Sequence, residues 1–334
     1  MDQEQELQFA GFFSILKKSF TIIFSWRKIF SQITIYLVLP LSFVFLAHIQ
    51  LSQLLFFKIF RTHHTLYFYN IEPGTVYAKF SRMISSEWTA FWLFKIAYFL
   101  FVLIFSLLST AAVVYTVACI YTSKPITFKK VTSVVAKVWK RLIVTLLWSF
   151  AFVFVYNIIA GAVFIAACVA LYRANRSIAV AVLLALLFLY LVGLLYITIV
   201  WHLASVVSVL EEVYGIKALI KSKNLIKGKL WVAIALFVLI GIFFFGIQMV
   251  FEIFVVFGWP EEVGMRILIG IFCLLLMVKL ILVVLVIQTV LYFVCKSYHH
   301  QIIDKSSLSD HLEAYTGDYL PLKASNVQME QVQQ

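Results

Sequence analysis

Aspartate is almost missing from this chain. Its four copies are Asp2, Asp304, Asp310 and Asp318, and none lies between residues 3 and 303. That gap argues against chemistry built on clustered aspartates. Mg²⁺ held against a diphosphate demands hard oxygen ligands, and a His–Asp acyl-transfer pair needs its carboxylate. The seven histidines (His48, His63, His64, His202, His299, His300, His311) make no spaced metal box with acidic partners. The twelve glycines are scattered and build no phosphate-binding loop. The four cysteines, Cys119, Cys168, Cys273 and Cys295, lie within or at the ends of apolar runs and imply no disulfide framework. The chain opens Met-Asp-Gln-Glu-Gln-Glu, an acidic start without an early apolar core, so no cleavable signal peptide is expected. Catalytic residues, metals and cofactors are all expected to be none, and the chain reads as a non-enzyme.

Charge is scarce too, at 13% of 334 residues against 63% hydrophobic. Soluble domains are about half apolar and a quarter charged. A water-facing surface cannot be made from such a composition, so the expected solvent is lipid. Crossing a bilayer takes about 20 mostly apolar residues. Six runs qualify, at residues 29–57, 91–121, 142–172, 178–210, 231–257 and 267–295. They are continuous rather than alternating, which excludes barrel strands. The fold class expected is an all-α, polytopic membrane protein with six transmembrane helices in three hairpins.

What charge there is leans basic, with a net formal charge of +12. The basic residues sit in short loops between apolar runs, which points to a membrane surface and not to nucleic acid. Eighteen Lys/Arg fall in the N-terminal segment, the second and fourth loops and the tail, against seven on the other side. The positive-inside rule then places both termini in the cytoplasm. The membrane expected is the endoplasmic reticulum or the plasma membrane.

Each odd-numbered span follows a basic stretch with helical spacing. In the first, Lys17, Lys18 and Lys28 share a stripe away from Phe12, Phe13, Phe20 and Phe24, and Arg27 follows Trp26 at the joint. In the second, Lys130, Lys137 and Lys140 oppose Val131, Val134, Val135 and Val138, ending at Trp139-Lys140-Arg141. The third, 216–229, sets Lys217 and Lys221 against Ile216, Leu219 and Ile220 and leads through Lys227 and Lys229 to Trp231. Such patterns suit a helix lying in the interface. Each hairpin is thus expected to be preceded by a basic amphipathic helix. Candidate lipid-headgroup contacts are Lys17, Lys18, Arg27, Lys28, Lys130, Lys137, Lys140, Arg141, Lys221, Lys227 and Lys229. Domain bounds follow: an N-terminal cytoplasmic, interfacial segment at 1–28, a six-helix membrane domain at 29–295, and a flexible cytoplasmic tail at 296–334.

Ionisable groups inside spans are costly and count as functional candidates. Lys279 lies mid-span in the sixth run, at the level of Tyr156 and Asn157 in the third. Glu252 and Lys95 lie at similar depths near the outer ends of the fifth and second runs, and could pair if those spans touch. His202 sits near the inner end of the fourth. Lys279, Glu252, Lys95, Asn157 and His202 are therefore either a polar track or structural partners satisfied within the bundle. Pro40, deep in the first run, is expected to kink it. The sequon Asn175-Arg176-Ser177 sits in a turn too short to expect a glycan.

Two stretches carry a resemblance. The run FFSILKKSFTIIFSWRKIFSQITIYLVLPLSFVFLAH at 12–48 resembles a family of uncharacterised plant multi-pass transmembrane proteins, as does SVLEEVYGIKALIKSKNLIKGKLWVA at 208–233. The second is also similar to the membrane domain attached to some bacterial glycerophosphodiester phosphodiesterases, whose catalytic domain has no counterpart here. The plant resemblance implies no activity and no catalytic residues. Glu211, Glu212 and Gly215 match its recurring motif, which ends the fourth span or docks a lipid or partner. Two functions stay open. One is a protein that organises membrane lipids with anionic headgroups, or membrane-protein partners, at a basic cytoplasmic face. The other is a transporter or channel for a small or amphipathic solute.

Overall fold

The computed structural model describes residues 10–68, 75–124, 126–172, 175–258 and 262–299, with backbone alone for 62–68 and 75–85. Among these residues the chain is helical throughout, with no strand. Six helices are long and apolar enough to cross a membrane: Arg27–Arg61, Ser86–Tyr121, Phe128–Ala170, Arg176–Leu210, Leu230–Val256 and Val263–Tyr298. Each covers one of the six expected runs to within two residues. A helix satisfies its own backbone hydrogen bonds, which is what lets an apolar segment lie in hydrocarbon.

The elements are α1 (Phe12–Ser25), α2 (Arg27–Ile33), α3 (Leu39–Phe68), α4 (Thr75–Tyr121), α5 (Phe128–Ala170), α6 (Arg176–Leu210), α7 (Ile216–Leu225), α8 (Leu230–Phe251) and α9 (Val263–Tyr298). Two π-helical turns, Thr34–Val38 and Glu252–Val256, sit between α2 and α3 and after α8. The first lies directly before Pro40, which has no N–H to donate and whose ring crowds the carbonyl four residues back. The wider turn takes up that misfit. Asn175 caps α6, its Oδ1 accepting the Ser177 N–H at 3.3 Å.

The three basic stretches fold in two ways. Before the first span, Trp26 leaves the helical region at φ −111°, ψ 37° and separates α1 from α2. Before the fifth, Gly228 at φ +92° separates α7 from α8. The stretch before the third span is not a separate helix. It forms the opening turns of the 43-residue α5, because no glycine or proline interrupts residues 128–160. Its valines are nonetheless the buried face: Val131, Val134, Val135 and Val138 are all at most 5% exposed. The tail boundary drawn at 296 falls inside α9, which runs to Tyr298, and residues from 300 onward lie outside those described.

The larger of two core clusters among the described residues gathers at one end of the bundle, apart from a smaller one of Leu46, Phe251, Cys273 and Met277. Every residue of α9 from Leu285 to Cys295 is buried, and α9 contacts α1, α3, α4, α6, α7 and α8. Cys295 sits within this core. Buried hydroxyls there mostly turn back on their own helices. Ser19, Ser42, Thr116, Ser208 and Thr289 each donate to a carbonyl four residues earlier, at 2.7–2.9 Å. This satisfies the polar atom without a partner helix. α1 joins the same end through Ile15, Ser19 and Ile22, while Phe13, Phe20 and Phe24 stay exposed. We call this the basic end, since α1, the start of α5, α7 and the close of α9 bring their lysines to it.

Candidate functional site

Polar and charged side chains converge most densely at the corner between α6 and α7. At Glu211 the chain leaves α6 in an extended conformation (φ −126°, ψ 163°). It re-enters a helix at Gly215, with φ +65° and ψ −137°. That backbone region is open essentially to glycine alone, so the glycine of the motif is a requirement of the turn. α5 clamps the turn. Thr145 Oγ1 accepts the Gly215 N–H at 2.8 Å and shares a 2.7 Å hydrogen bond with Ser208 Oγ. Ser222 Oγ donates to the Val200 carbonyl at 2.7 Å and lays α7 along α6.

Glu211 is the hub. Its side chain is 13% exposed. Oε1 accepts the Tyr292 hydroxyl at 2.6 Å and lies 3.4 Å from Lys296 Nζ. Oε2 is ion-paired with Lys221. Burial pushes the carboxyl pKa up, but the hydrogen bonds from Lys221 and Tyr292 and the charges of Lys296 and Lys221 outweigh it. The net shift is downward, so the group is held as a carboxylate. One side chain thereby joins the end of α6, the middle of α7 and the last turns of α9.

The far end of α7 is tied down as well. His299 Nε2 is 3.0 Å from the Leu225 carbonyl. Gly228 lies under the Tyr298 ring, where a Cβ would overlap it. Lys229 Nζ reaches over the same ring at 5.2 Å and toward the Ala10 carbonyl at 3.4 Å. With both ends fixed, α7 presents an open cavity of about 520 Å³ lined by Lys217, Lys221, Asn224, Lys227 and His299 with Val213, Ile220 and Leu225. Lys217 and Lys227 are exposed and make no ion pair among the described residues.

The other candidates fall elsewhere. Arg27, Lys28, Lys17, Lys137 and Lys140 are exposed. Lys18 Nζ lies 5.7 Å from the Tyr121 ring centre. Lys130 and Arg141 are partly buried on α5 and engaged. Lys95 does not pair with Glu252. It reaches α3 instead, with Nζ 2.9 Å from His48 Nε2 and 2.8 Å from Ser52 Oγ. His48 stacks on Tyr98, centroids 3.6 Å apart. The pairing fails because α4 packs on α3, α5, α6 and α9, away from the turn that carries Glu252. Nor does Lys279 meet Asn157. Asn157 Oδ1 accepts the Tyr190 hydroxyl at 2.9 Å, linking α5 to α6, while Lys279 is exposed on α9. His202 is a satisfied interface residue: Nδ1 is 2.8 Å from Gln288 Oε1, and its ring packs on Trp201 and Phe237. His202, Lys95, Asn157, Glu252 and Lys279 thus form no single track.

Thr145, Ser208, Tyr292 and Lys296 complete the corner, and sequence reasoning had passed over them. The available signal was Glu211 itself, an acidic residue ending an otherwise apolar span, which needs nearby cations. No curated protein and no solved structure matches the chain. A family model described as a domain of unknown function, DUF8558, matches residues 1–332. The chain belongs to that family.

Proposed function

We propose that the protein is a non-enzymatic membrane protein that gathers anionic lipid, or partners docked on such lipid, at its basic end. In this reading the basic end faces the cytoplasm and both termini lie on that side. The spans form three hairpins, with α1, the opening turns of α5 and α7 at the headgroup level. The host membrane is the endoplasmic reticulum or the plasma membrane. A plant source and kinship with the membrane domain of bacterial glycerophosphodiester phosphodiesterases belong to the same reading and assign no chemistry.

The observation that carries the proposal is the α7 cavity. Lys217 on α7 and Lys227 in the turn after it stand exposed around the cavity, and the backbone between them is fixed by Glu211, Ser222 and His299. A fixed array of cations loses little freedom when an anion arrives. Near a membrane surface each lysine contributes about 1 kcal/mol toward anionic lipid, and salt screens that attraction. α1 fits the same surface, with Lys17 in reach of headgroups and Phe13, Phe20 and Phe24 turned outward.

The test uses the full chain in nanodiscs of mixed phosphatidylserine and phosphatidylcholine. Native mass spectrometry of the released protein should show phosphatidylserine enriched among bound lipids, and less so at high salt. Changing Lys217 and Lys227 to Glu should cut the enrichment about tenfold or more, from about 1 kcal/mol per lysine. Lipid bound in the bulk ratio, with or without those changes, would sink the reading. Transport of a small or amphipathic solute is the second reading. It draws on the Lys95–His48–Ser52 cluster between α3 and α4, and Lys279, exposed on the far helix, does not extend that cluster.

A further inference from the structure

α7 has three faces. Ala218, Ser222 and Leu225 are buried against the bundle. Lys217, Lys221 and Asn224 line the basic cavity. The third stripe, Ile216, Leu219, Ile220 and Lys223, is spaced i, i+3, i+4 and i+7 and closes one side of a separate groove. That groove measures about 450 Å³ and runs between α5 and α6, with Phe152 and Val155 on one wall and Ile197 on the other.

We propose that this groove holds one acyl chain of an anionic phospholipid, with its phosphate at Lys223. The first argument is length. The groove spans Ser149 to Ile159 along α5. Those ten residue steps rise about 15 Å, which is half of the ~30 Å hydrocarbon core. One leaflet is the depth an acyl chain occupies. The second is a built floor. The Tyr156 hydroxyl donates to the Tyr190 carbonyl at 2.9 Å. It lies against Gly193, where a Cβ would overlap it. The ring is therefore held across the deep end, and any side chain at 193 would displace it. The third is charge. Among the described residues Lys223 is the one lysine, arginine or carboxylate residue that lines the groove, and it is exposed at the headgroup end and makes no ion pair with any of them. The walls are otherwise apolar or aromatic apart from Ser149 and the tyrosines. A long apolar slot with a single cation at its mouth complements an amphiphile with one anionic head. The fourth is access. α5 has no buried residue beyond Ser149, so the groove opens sideways, and a lipid can enter without passing through the protein.

The inference rests on the reading of the basic end as a site of anionic lipid. It adds a stoichiometric site distinct from the cavity of Lys217 and Lys227. The test reads the two separately. The full chain is placed in nanodiscs doped with phosphatidylserine carrying a diazirine along its acyl chain, or with phosphatidylcholine carrying the same label. Photolabelled positions are mapped by mass spectrometry. Phosphatidylserine should label Phe152, Val155 and Ile197 saturably, and unlabelled phosphatidylserine should compete. Lys223→Glu should lower that labelling about fivefold or more, the equivalent of the ~1 kcal/mol per lysine above, and Lys223→Arg should restore it. Val155→Trp, at a position half exposed, should block the groove and abolish labelling at unchanged thermal stability. Changing Lys217 and Lys227 to Glu should leave groove labelling in place while bulk enrichment falls. Equal labelling by the two lipids, or labels spread evenly over the lipid-facing helices, would overturn the site. So would a diazirine sterol that labels the groove in preference to phosphatidylserine. If bulk enrichment is absent but the groove still labels selectively, the surface reading fails and the site stands.

Discussion

The basic end of the bundle and the opposite reach of α5 and α6 are built on different rules. At the basic end, α9 is surrounded from Leu285 to Cys295 and α5 buries a stripe from Val131 to Ser149. Beyond Ser149 no residue of α5 is buried, and α6 buries none before Ile199. There the two helices touch each other, through Tyr156–Tyr190 stacking and the Tyr190–Asn157 hydrogen bond, and Phe188 is 70% exposed. In lipid such a pair gains nothing from hiding apolar surface, since the tails are as apolar as the side chains. The contrast teaches that specific structure here comes from polar clamps and close packing at one end. The outer reach needs only apolar helices of sufficient length. Changes at the basic end should therefore be costly, and changes in the outer reach mild.

The largest effect is expected at Glu211. Glu211→Leu leaves Tyr292, Lys296 and Lys221 without their shared acceptor. Breaking a buried ion pair costs about 3–5 kcal/mol. Lys221 and Lys296 keep 36% and 21% of their side chains exposed, which moves the expectation to about 2–3 kcal/mol. Thermal unfolding in nanodiscs should show the largest loss of any single change considered. A variant as stable as the wild type would remove Glu211 as the hub.

Acid should reproduce part of that loss. The folded-state pKa of Glu211 lies below its ordinary value of 4.5. Its stabilisation is therefore fully present above that value and is lost as pH falls through the lower, folded-state pKa. Melting temperature against pH should fall more steeply below pH 4.5 in wild type than in Glu211→Gln. Parallel curves would mean that other carboxylates govern the acid limb.

Next comes the α5 clamp. Thr145→Val removes the acceptor of the Gly215 N–H and the partner of Ser208. Leaving a buried donor unsatisfied costs about 1–3 kcal/mol. Gly215→Ala should cost a similar amount through its backbone conformation alone. If Thr145→Val melts like wild type while Gly215→Ala does not, the turn is held by its own backbone and α5 is not a clamp.

How much of this was legible in the sequence follows the same division. Helix count and approximate ends came from apolar runs, because lipid rewards every apolar residue alike and leaves a long continuous signal. The valine stripe of α5 was readable from helical spacing, whereas the stretch expected to be helical over 216–229 ends at Leu225, with Gly228 at φ +92° before α8. Partner choice was not. Lys95 and Glu252 lie at matching depths, yet helix order around the bundle sends Lys95 to His48 and Ser52. Depth is a one-dimensional quantity read along a helix. Which neighbours face each other depends on packing among small residues and hydroxyls, which leaves no periodic trace. Tyr292 illustrates the limit. It is one of 57 aromatic residues (33 Phe, 16 Tyr and 8 Trp), and its hydroxyl matters because Glu211 arrives beside it.

The smallest effect is expected where sequence alone raised the strongest suspicion. Lys279 sits mid-span and is exposed on α9, along the stripe that continues through Leu275, Phe272 and Leu268. A lysine at the centre of a helix costs about 2.5–3.5 kcal/mol to insert. That cost is carried by the inserted helix whether or not the bundle is assembled, so it nearly cancels from the stability of the fold. Its ammonium also gains relief by extending along its own stem toward water. Lys279→Leu should therefore shift thermal stability by less than about 0.5 kcal/mol, far below Glu211→Leu. The size of the shift discriminates between the two functional readings. A loss approaching that of Glu211 would mean that Lys279 is held by a carboxylate or carbonyl in the working protein. Polar contact would then extend into the middle of the membrane, and a solute path would gain over a lipid-gathering surface. A neutral result leaves the costly interactions at the basic end, around α7.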